Sequence, residues 1–308
     1  MPSDTSRPGL LSGVLPSHSF ANRYNAMRQE HTKDVLGEWR ESAPYWEKHA
    51  DTIRQMFAPV TDGLIERAGI GDGLSALDVA AGTGEPSLTI AEAIGAKGTV
   101  ICTDAVLEMM AAARRAATAR GRTRIEFCQC LADSLPFAHD SFDAVVCRLG
   151  AMFFPDPVAA LREMMRVVKP RGRVSLAVWG SPESNPFFSI VTRVLARYIE
   201  PAPDDGDAPG AFRFAEAGKL ARLLVEAGGV HINELRLSFR IKSRLSLAEF
   251  WEVRSEMSDT LRQKLAMLDP EQTIHLSAEI KEAVREFFPE GCMSFPAQVL
   301  IVTAERSR

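Results

Sequence analysis

The stretch of this chain best suited to chemistry is a run of small residues with acids on either side: Asp78-Val79-Ala80-Ala81-Gly82-Thr83-Gly84-Glu85, with a further acid at Asp104. Glycines between an apolar run and a helical pattern mark a sharp bend at which a ligand can approach the backbone. Asp104 stands twenty positions after Gly84, the separation at which an acid ending the next strand reaches a pair of ribose hydroxyls. Both signals suit any nucleoside-bearing ligand, NAD included.

Three residues narrow the choice. A dinucleotide fingerprint asks for a third glycine three positions after the second, and Ser87 occupies that place. Glu85 opens the following helix, where a pyrophosphate would rest; an acid there suits the helix dipole but repels a doubly anionic group. Asp78 lies inside the strand, where a buried acid needs a partner: a backbone N–H, a nearby cation, or the positively charged amino or sulfonium group of S-adenosylmethionine. The turn therefore favours a ligand that brings ribose and positive charge without phosphate.

The elements that must hold this turn alternate. Strand-like runs at Ala76–Ala80, Thr99–Thr103, Ile125–Cys130, Ala144–Cys147 and Val174–Val178 are separated by helical patterns at Pro86–Ile94, Val106–Arg120 and Pro157–Val168, with Lys169-Pro170-Arg171-Gly172 as a stop. This is the signature of βαβ units and a parallel sheet covered on both faces. The domain reading is a mobile arm over 1–30, helices or a lid over 31–73, the core over 74–180, and a substrate-cap insertion plus completing strands over 181–308. Within the last part, Phe187–Ile199, Phe214–Ala227 and three stretches over Leu247–Phe288 read as helices. Val230–Ile241 reads as an antiparallel edge strand and Gln298–Thr303 as a final strand.

Composition bounds the rest. With 308 residues, 46% hydrophobic and a net charge of −4, the chain has an ordinary globular profile and lacks the basic excess that a nucleic-acid backbone rewards. No run reaches the roughly 18 apolar residues of a membrane span, and the start lacks a signal pattern, so a cytoplasmic enzyme is expected. Five cysteines argue against a disulfide framework; Cys128 and Cys130, without a second pair, are read as small hydrophobes and no metal is expected. The arginines at 114, 115, 120, 122 and 124 are read as a solvated helix face.

Taken in order, Leu77-Asp78-Val79-Ala80-Ala81-Gly82-Thr83-Gly84, Asp104, Ala132-Asp133-Ser134-Leu135-Pro136-Phe137, Ser141-Phe142-Asp143 and Arg166-Val167-Val168-Lys169-Pro170-Arg171-Gly172 resemble class I S-adenosylmethionine-dependent methyltransferases. Within that class they are similar to the ubiquinone/menaquinone-biosynthesis branch, over about Leu74–Trp179. The resemblance implies an α/β, Rossmann-like, seven-stranded and mostly parallel sheet in the order 3-2-1-4-5-7-6, with N-terminal helices and a helical insertion and C-terminal cap. It implies S-adenosylmethionine as cofactor and S-adenosylhomocysteine as product. Asp78, Gly82 and Gly84 would line the methionine end, Asp104 would hold the ribose hydroxyls, and Ala132 with Asp133 would flank the adenine. Arg148 would contact the amino-acid portion through its carbonyl, and Ala80 and Ala105 complete the cofactor positions. An aromatic ahead of the first strand closes over the cofactor in this family, which favours Trp46 or Tyr45. Leu131 departs from the acid usual before the third-strand alanine, and Arg171 from a usual glycine.

The implied activity is methyl transfer to a small-molecule acceptor, oxygen ahead of carbon or nitrogen, with a dinucleotide-dependent oxidoreductase or a non-catalytic S-adenosylmethionine-binding protein as the alternatives. Such a displacement works largely by positioning, so no catalytic residue is assigned. His31, His49, His231 and His275 are base candidates by residue type alone. Tyr45, Phe153, Phe188 and Phe214 are the aromatics expected at the acceptor. Asn185-Pro186-Phe187-Phe188 lies beyond the fifth strand and reads as a turn and helix start, not an amide-recognition motif. The sequence allows a homodimer.

Overall fold

A computed structural model describes residues 35–122, 124–201 and 205–308. The arm expected over 1–30, with His31, lies outside the described residues. Residues 35–48 are helical (α1) and lead into α2 (Ala50–Met56) and α3 (Ala58–Ala68). Alternation then begins: β1 (Ser75–Val79), α4 (Ser87–Ala93), β2 (Thr99–Asp104), α5 (Leu107–Ala119), β3 (Ile125–Gln129), β4 (Phe142–Arg148), α6 (Pro157–Val167) and β5 (Val168–Trp179). The remainder is α7 (Pro186–Leu195), α8 (Lys219–Glu226), β6 (Gly229–Ser243), α9 (Leu247–Met257), α10 (Asp259–Ala266), α11 (Pro270–Ala283) and β7 (Met293–Arg306).

The seven strands form one sheet in the order β3-β2-β1-β4-β5-β7-β6. The first five run parallel and β7 enters antiparallel between β5 and β6. This is the Rossmann-like arrangement expected. Successive residues of β1 face opposite sides: Leu77 and Val79 enter the larger apolar cluster, while Ala76 faces a second cluster filled from α4 and α5. Local sequence explains several boundaries. Asp156 accepts from the Ala159 N–H at 2.9 Å and Pro157 fills the first position of α6, a combination that satisfies an orphan amide and removes another. Ser246 with Glu249, and Asp269 with Gln272, form capping boxes at α9 and α11.

Two expectations need correction. The helix expected over Phe214–Ala227 begins only at Lys219, after Gly218 in a left-handed conformation, and Phe214 is buried in the preceding turn. The strands β5, β6 and β7 are longer than their apolar cores suggested. Antiparallel pairing of β6 with β7 runs from Gly229↔Arg306 to Ser243↔Met293, so polar flanking residues are held by ladder hydrogen bonds that do not depend on hydrophobicity.

Candidate active site

Where β1 and β4 end side by side, the backbone turns sharply in both. Ala80 (φ 57°) and Leu149 (φ 59°) take the left-handed conformation that side chains disfavour. The adjoining Gly150 is required by space, because a Cβ there would stand 2.8 Å from the Ala80 Cβ and 3.1 Å from the Cys147 Sγ. Gly84 is pressed against Ala113 of α5 at a φ of 109°. Gly82 has open space where its side chain would be. One glycine of the motif thus packs a helix and the other leaves room above the sheet, where a cleft of about 1400 Å³, open mouth included, lies across the strand ends.

Asp78 is wholly buried behind this turn. Its Oδ2 accepts both the Ser87 N–H (2.8 Å) and the Ser87 hydroxyl (2.6 Å), which gives Ser87 its role: it partners the acid in the position where a glycine fingerprint would continue. The other oxygen, Oδ1, has no hydrogen-bond partner. Burial pushes the Asp78 carboxyl up to about 7, against the Ser87 bonds and the nearby Arg148 cation, while Glu85 adds to the rise. Arg148 is half-buried, lines the cleft, and donates to the Thr61 hydroxyl at 2.9 Å.

Glu85 also lines the cleft, but its charge is not isolated. Oε1 accepts from Arg120 at 2.9 Å and Oε2 from the Thr89 hydroxyl at 2.7 Å. Arg120 continues to Asp51 at 2.8 Å. Of the arginine run read as a solvated face, Arg114, Arg115 and Arg124 are exposed, while Arg120 and Arg122 are half-buried; Arg115 pairs with Glu47, Arg122 with Glu92, and Arg114 covers the Phe127 ring. These cations fasten α5 to neighbouring elements.

Asp104 reaches the cleft from the end of β2. One oxygen accepts the Gly82 N–H and the other the Val106 N–H, each at 2.9 Å. Burial raises its pKa, opposed by those amides. The carboxylate therefore shapes the loop, and its remaining lone pairs are free to accept from a ligand. Beyond it, Ala105, Leu131, Ala132 and Asp133 line the same wall. Leu131 is 40% exposed there, an apolar surface where the resemblance would have an acid. Cys130 also lines the cleft, and burial pushes its thiol up to about 12. Cys128 beside it is likewise only partly buried. Among the described residues no group of side chains has the makings of a metal site.

The opposite end of the cleft is apolar. Trp39, Trp46, Ile53, Phe57, Phe153 and Phe154 line it. Trp39 meets the Trp46 and Phe153 rings edge to face at centroid distances of 5.6 and 5.0 Å, a preferred aromatic geometry. The Trp46 indole N–H donates to the Met257 carbonyl at 3.1 Å, which fixes the ring at the cleft wall. Of the other aromatics expected here, Phe153 lies on the wall and three do not. Tyr45 turns away beneath the Arg262 guanidinium. Phe188 packs between Trp179 and Phe212, and Phe214 is core. Side-chain direction on α1 separates Tyr45 from Trp46, and sequence spacing alone does not reveal it. Trp39, Phe57, Leu149 and Arg120 also line the cleft, a place that depends on packing between elements distant in sequence.

None of the described histidines lines the cleft. His49 pairs with Glu256 at 2.6 Å, His275 with Glu271, and His231 is exposed at a strand irregularity. Asn185 is buried and ties the β5–α7 turn to β7 by exchanging hydrogen bonds with the Gln298 backbone. It braces the fold, as its position beyond the fifth strand suggested.

Residues 60–201 match the model of the ubiE/COQ5 methyltransferase family. An uncharacterized protein of Mycobacterium tuberculosis, Rv1405c, is 41% identical over 131 residues, covering 42% of this chain and 46% of its own length. The ubiquinone/menaquinone biosynthesis C-methyltransferase UbiE of Hahella chejuensis is 36% identical over 126 residues, covering 41% of this chain and 50% of its own. The chain thus spans about half the length of the curated relatives it matches. Among solved structures, a putative methyltransferase from Bacillus halodurans aligns over 80% of this chain and 99% of its own with a TM-score of 0.53 at 21% identity, a likeness of fold. Through its sheet order, its glycine turn and the matched residues 60–201, the chain is similar to the ubiE/COQ5 methyltransferase family.

Proposed function

We propose that this chain transfers a methyl group from S-adenosylmethionine to a small, flat or apolar acceptor. The observation that carries this reading is one continuous cleft whose polar end presents Asp104 beside an open glycine turn and whose other end is walled by Trp39, Trp46, Phe57 and Phe153. The residues fit such a cofactor. Asp104 would accept from the ribose hydroxyls, and the apolar surface of Leu131 with Ala132 and Asp133 would flank the adenine. The loop from Ala80 to Gly84 and Arg148 would hold the amino-acid portion, close to the unpartnered oxygen of Asp78. A pyrophosphate finds poor reception at the same place. The Ser87 amide at the start of α4 is already given to Asp78, and Glu85 stands in front of it.

S-adenosylmethionine, when bound, supplies a methyl group on a positively charged sulfur that leaves as a neutral thioether. The chain's part is to orient and to exclude water: the left-handed turns at Ala80 and Leu149 fix the floor, and the Trp39–Trp46–Phe153 cluster covers the apolar end. Glu85 is committed to Arg120 and Thr89, and Asp104 to two amides. The acceptor atom is accordingly one whose attack needs no prior proton removal by a histidine: a phenolate oxygen, or a ring carbon of such a phenolate, which releases its proton to solvent after the methyl has joined it; carbon is the atom named for the UbiE relative. The segment 181–308 contributes the cap over the acceptor end, through the Met257 carbonyl that holds Trp46.

Calorimetric titration with S-adenosylmethionine, S-adenosylhomocysteine and NAD tests the reading. Binding of the first two is expected; NAD binding with no response to either would overturn it.

A further inference from the structure

Arg254 on α9 is a cation the proposed chemistry has not used. It is 7% exposed. Its guanidinium lies over the rings of Phe187 and Phe188, each at 4.9 Å to the centroid, and its Nε is sealed without an acceptor. Burial alone lowers its pKa, to about 10, and it remains charged at neutral pH. Among the described residues no carboxylate pairs with it, although acids are near in sequence. Glu249 caps α9, Glu252 and Glu256 take Lys48, Glu256 also takes His49, and Asp259 holds Arg262. On α11, which packs against α9, Glu279 binds Arg197 and Tyr198, and Glu282 binds Arg285. The charged residue of α7 is another cation, Arg193.

A buried charge without a counter-ion is costly, and ring faces offset that cost only in part. The place of this charge is informative. Phe188, beneath it, packs on Trp179 at 4.7 Å, and Trp179 on Phe57 at 5.5 Å, which is cleft wall. One turn along α9, Met257 holds Trp46, which is also cleft wall. Arg254 is therefore separated from the apolar end of the cleft by the rings of Phe188, Trp179 and Phe57 in one direction, and by one turn of α9 and the Trp46 ring in the other. The path is filled by apolar rings and, among the described residues, holds no counter-charge, so the charge is little screened along it.

We propose that Arg254 is a positioning residue that makes the apolar end of the cleft select acceptors bound as anions, such as a phenolate. The proposal rests on the methyl-transfer reading and deepens it, since an acceptor ionised by the site needs no base.

The test uses 4-nitrophenol, whose ionisation is visible by absorbance, titrated into the full chain with and without saturating S-adenosylhomocysteine. In the wild type the bound phenol is expected to ionise at lower pH than the free one, with the phenolate bound about tenfold tighter than the phenol. Arg254→Met should abolish this preference while leaving S-adenosylhomocysteine affinity and thermal midpoint unchanged or the midpoint higher; Arg254→Lys should retain it. A bound phenol that titrates as the free one, a preference that persists in Arg254→Met, or no binding of 4-nitrophenol would overturn the proposal. So would an Arg254→Met variant that loses stability together with cofactor affinity, since that marks a mere brace. Failure of S-adenosylhomocysteine to bind the wild type would instead strike the methyl-transfer reading, and the titration without it still reports on Arg254.

Discussion

Ser87 gives both its backbone N–H and its hydroxyl to a single oxygen of Asp78, at 2.8 and 2.6 Å, in a place sealed from solvent. The pair joins the last turn of β1 to the first turn of α4 and so sets the shape of the glycine loop between them. Because the second Asp78 oxygen has no partner, those two bonds and the nearby Arg148 charge are what offset the acid's burial. Replacing Ser87 by Ala removes one of them and is expected to cost about 1 to 3 kcal/mol. Chemical denaturation of the variant checks this; an unchanged midpoint and slope would show that the hydroxyl carries no load.

The raised pKa of Asp78 gives the unliganded protein a pH dependence of defined sign. The folded state holds the Asp78 proton up to about 7, above the ordinary carboxylate value of 3.8, so this group's contribution to stability is full below that ordinary value. It is lost as pH rises toward 7, at up to about 1.4 kcal/mol per pH unit for one proton. Thermal midpoints measured between pH 4 and 8 should fall with rising pH more steeply in the wild type than in Asp78→Asn. Parallel curves would assign the dependence to other groups.

Asp104 serves the loop and, on the proposed reading, the ribose. Asp104→Asn retains one oxygen for a backbone amide but removes the charge, and S-adenosylhomocysteine affinity should drop about ten- to a hundredfold. Asp104→Ala should lose more, since the Gly82 and Val106 amides are then left without their acceptor. Equal affinity of wild type and Asp104→Asn by calorimetry would place the ribose elsewhere.

Gly150 and Ala80 leave each other no spare volume. Gly150→Ala would bring two Cβ atoms to 2.8 Å and should destabilise by about 1 to 3 kcal/mol. In the Ala80→Gly background the same change should cost less, because one of the clashing atoms is gone and the left-handed turn at position 80 is relieved. A double-mutant cycle reads the coupling directly, and strict additivity would argue against the contact.

The fold and the polar half of the cleft were legible in the sequence because their signals are local. A parallel strand buried on both faces is a short apolar run, a turn needing open backbone is a pair of glycines, and an acid closing the next strand falls at a set distance from them. Gly82 and Asp104 line the cleft as that pattern suggested, whereas Asp78 and Gly84, expected beside the ligand, are packed behind the turn. The tertiary structure decided which aromatics face the ligand. Trp46 and Tyr45 are neighbours in sequence, yet one is held to the cleft wall by the Met257 carbonyl and the other lies under Arg262. It also decided that Glu85 is paired and that Arg254 has no carboxylate partner among the described residues, since a charge's partner is chosen by packing across the chain: 35 residues separate Glu85 from Arg120. Local pattern determines where backbone bends and which face of a strand is apolar, whereas the company a side chain keeps is settled when distant elements meet.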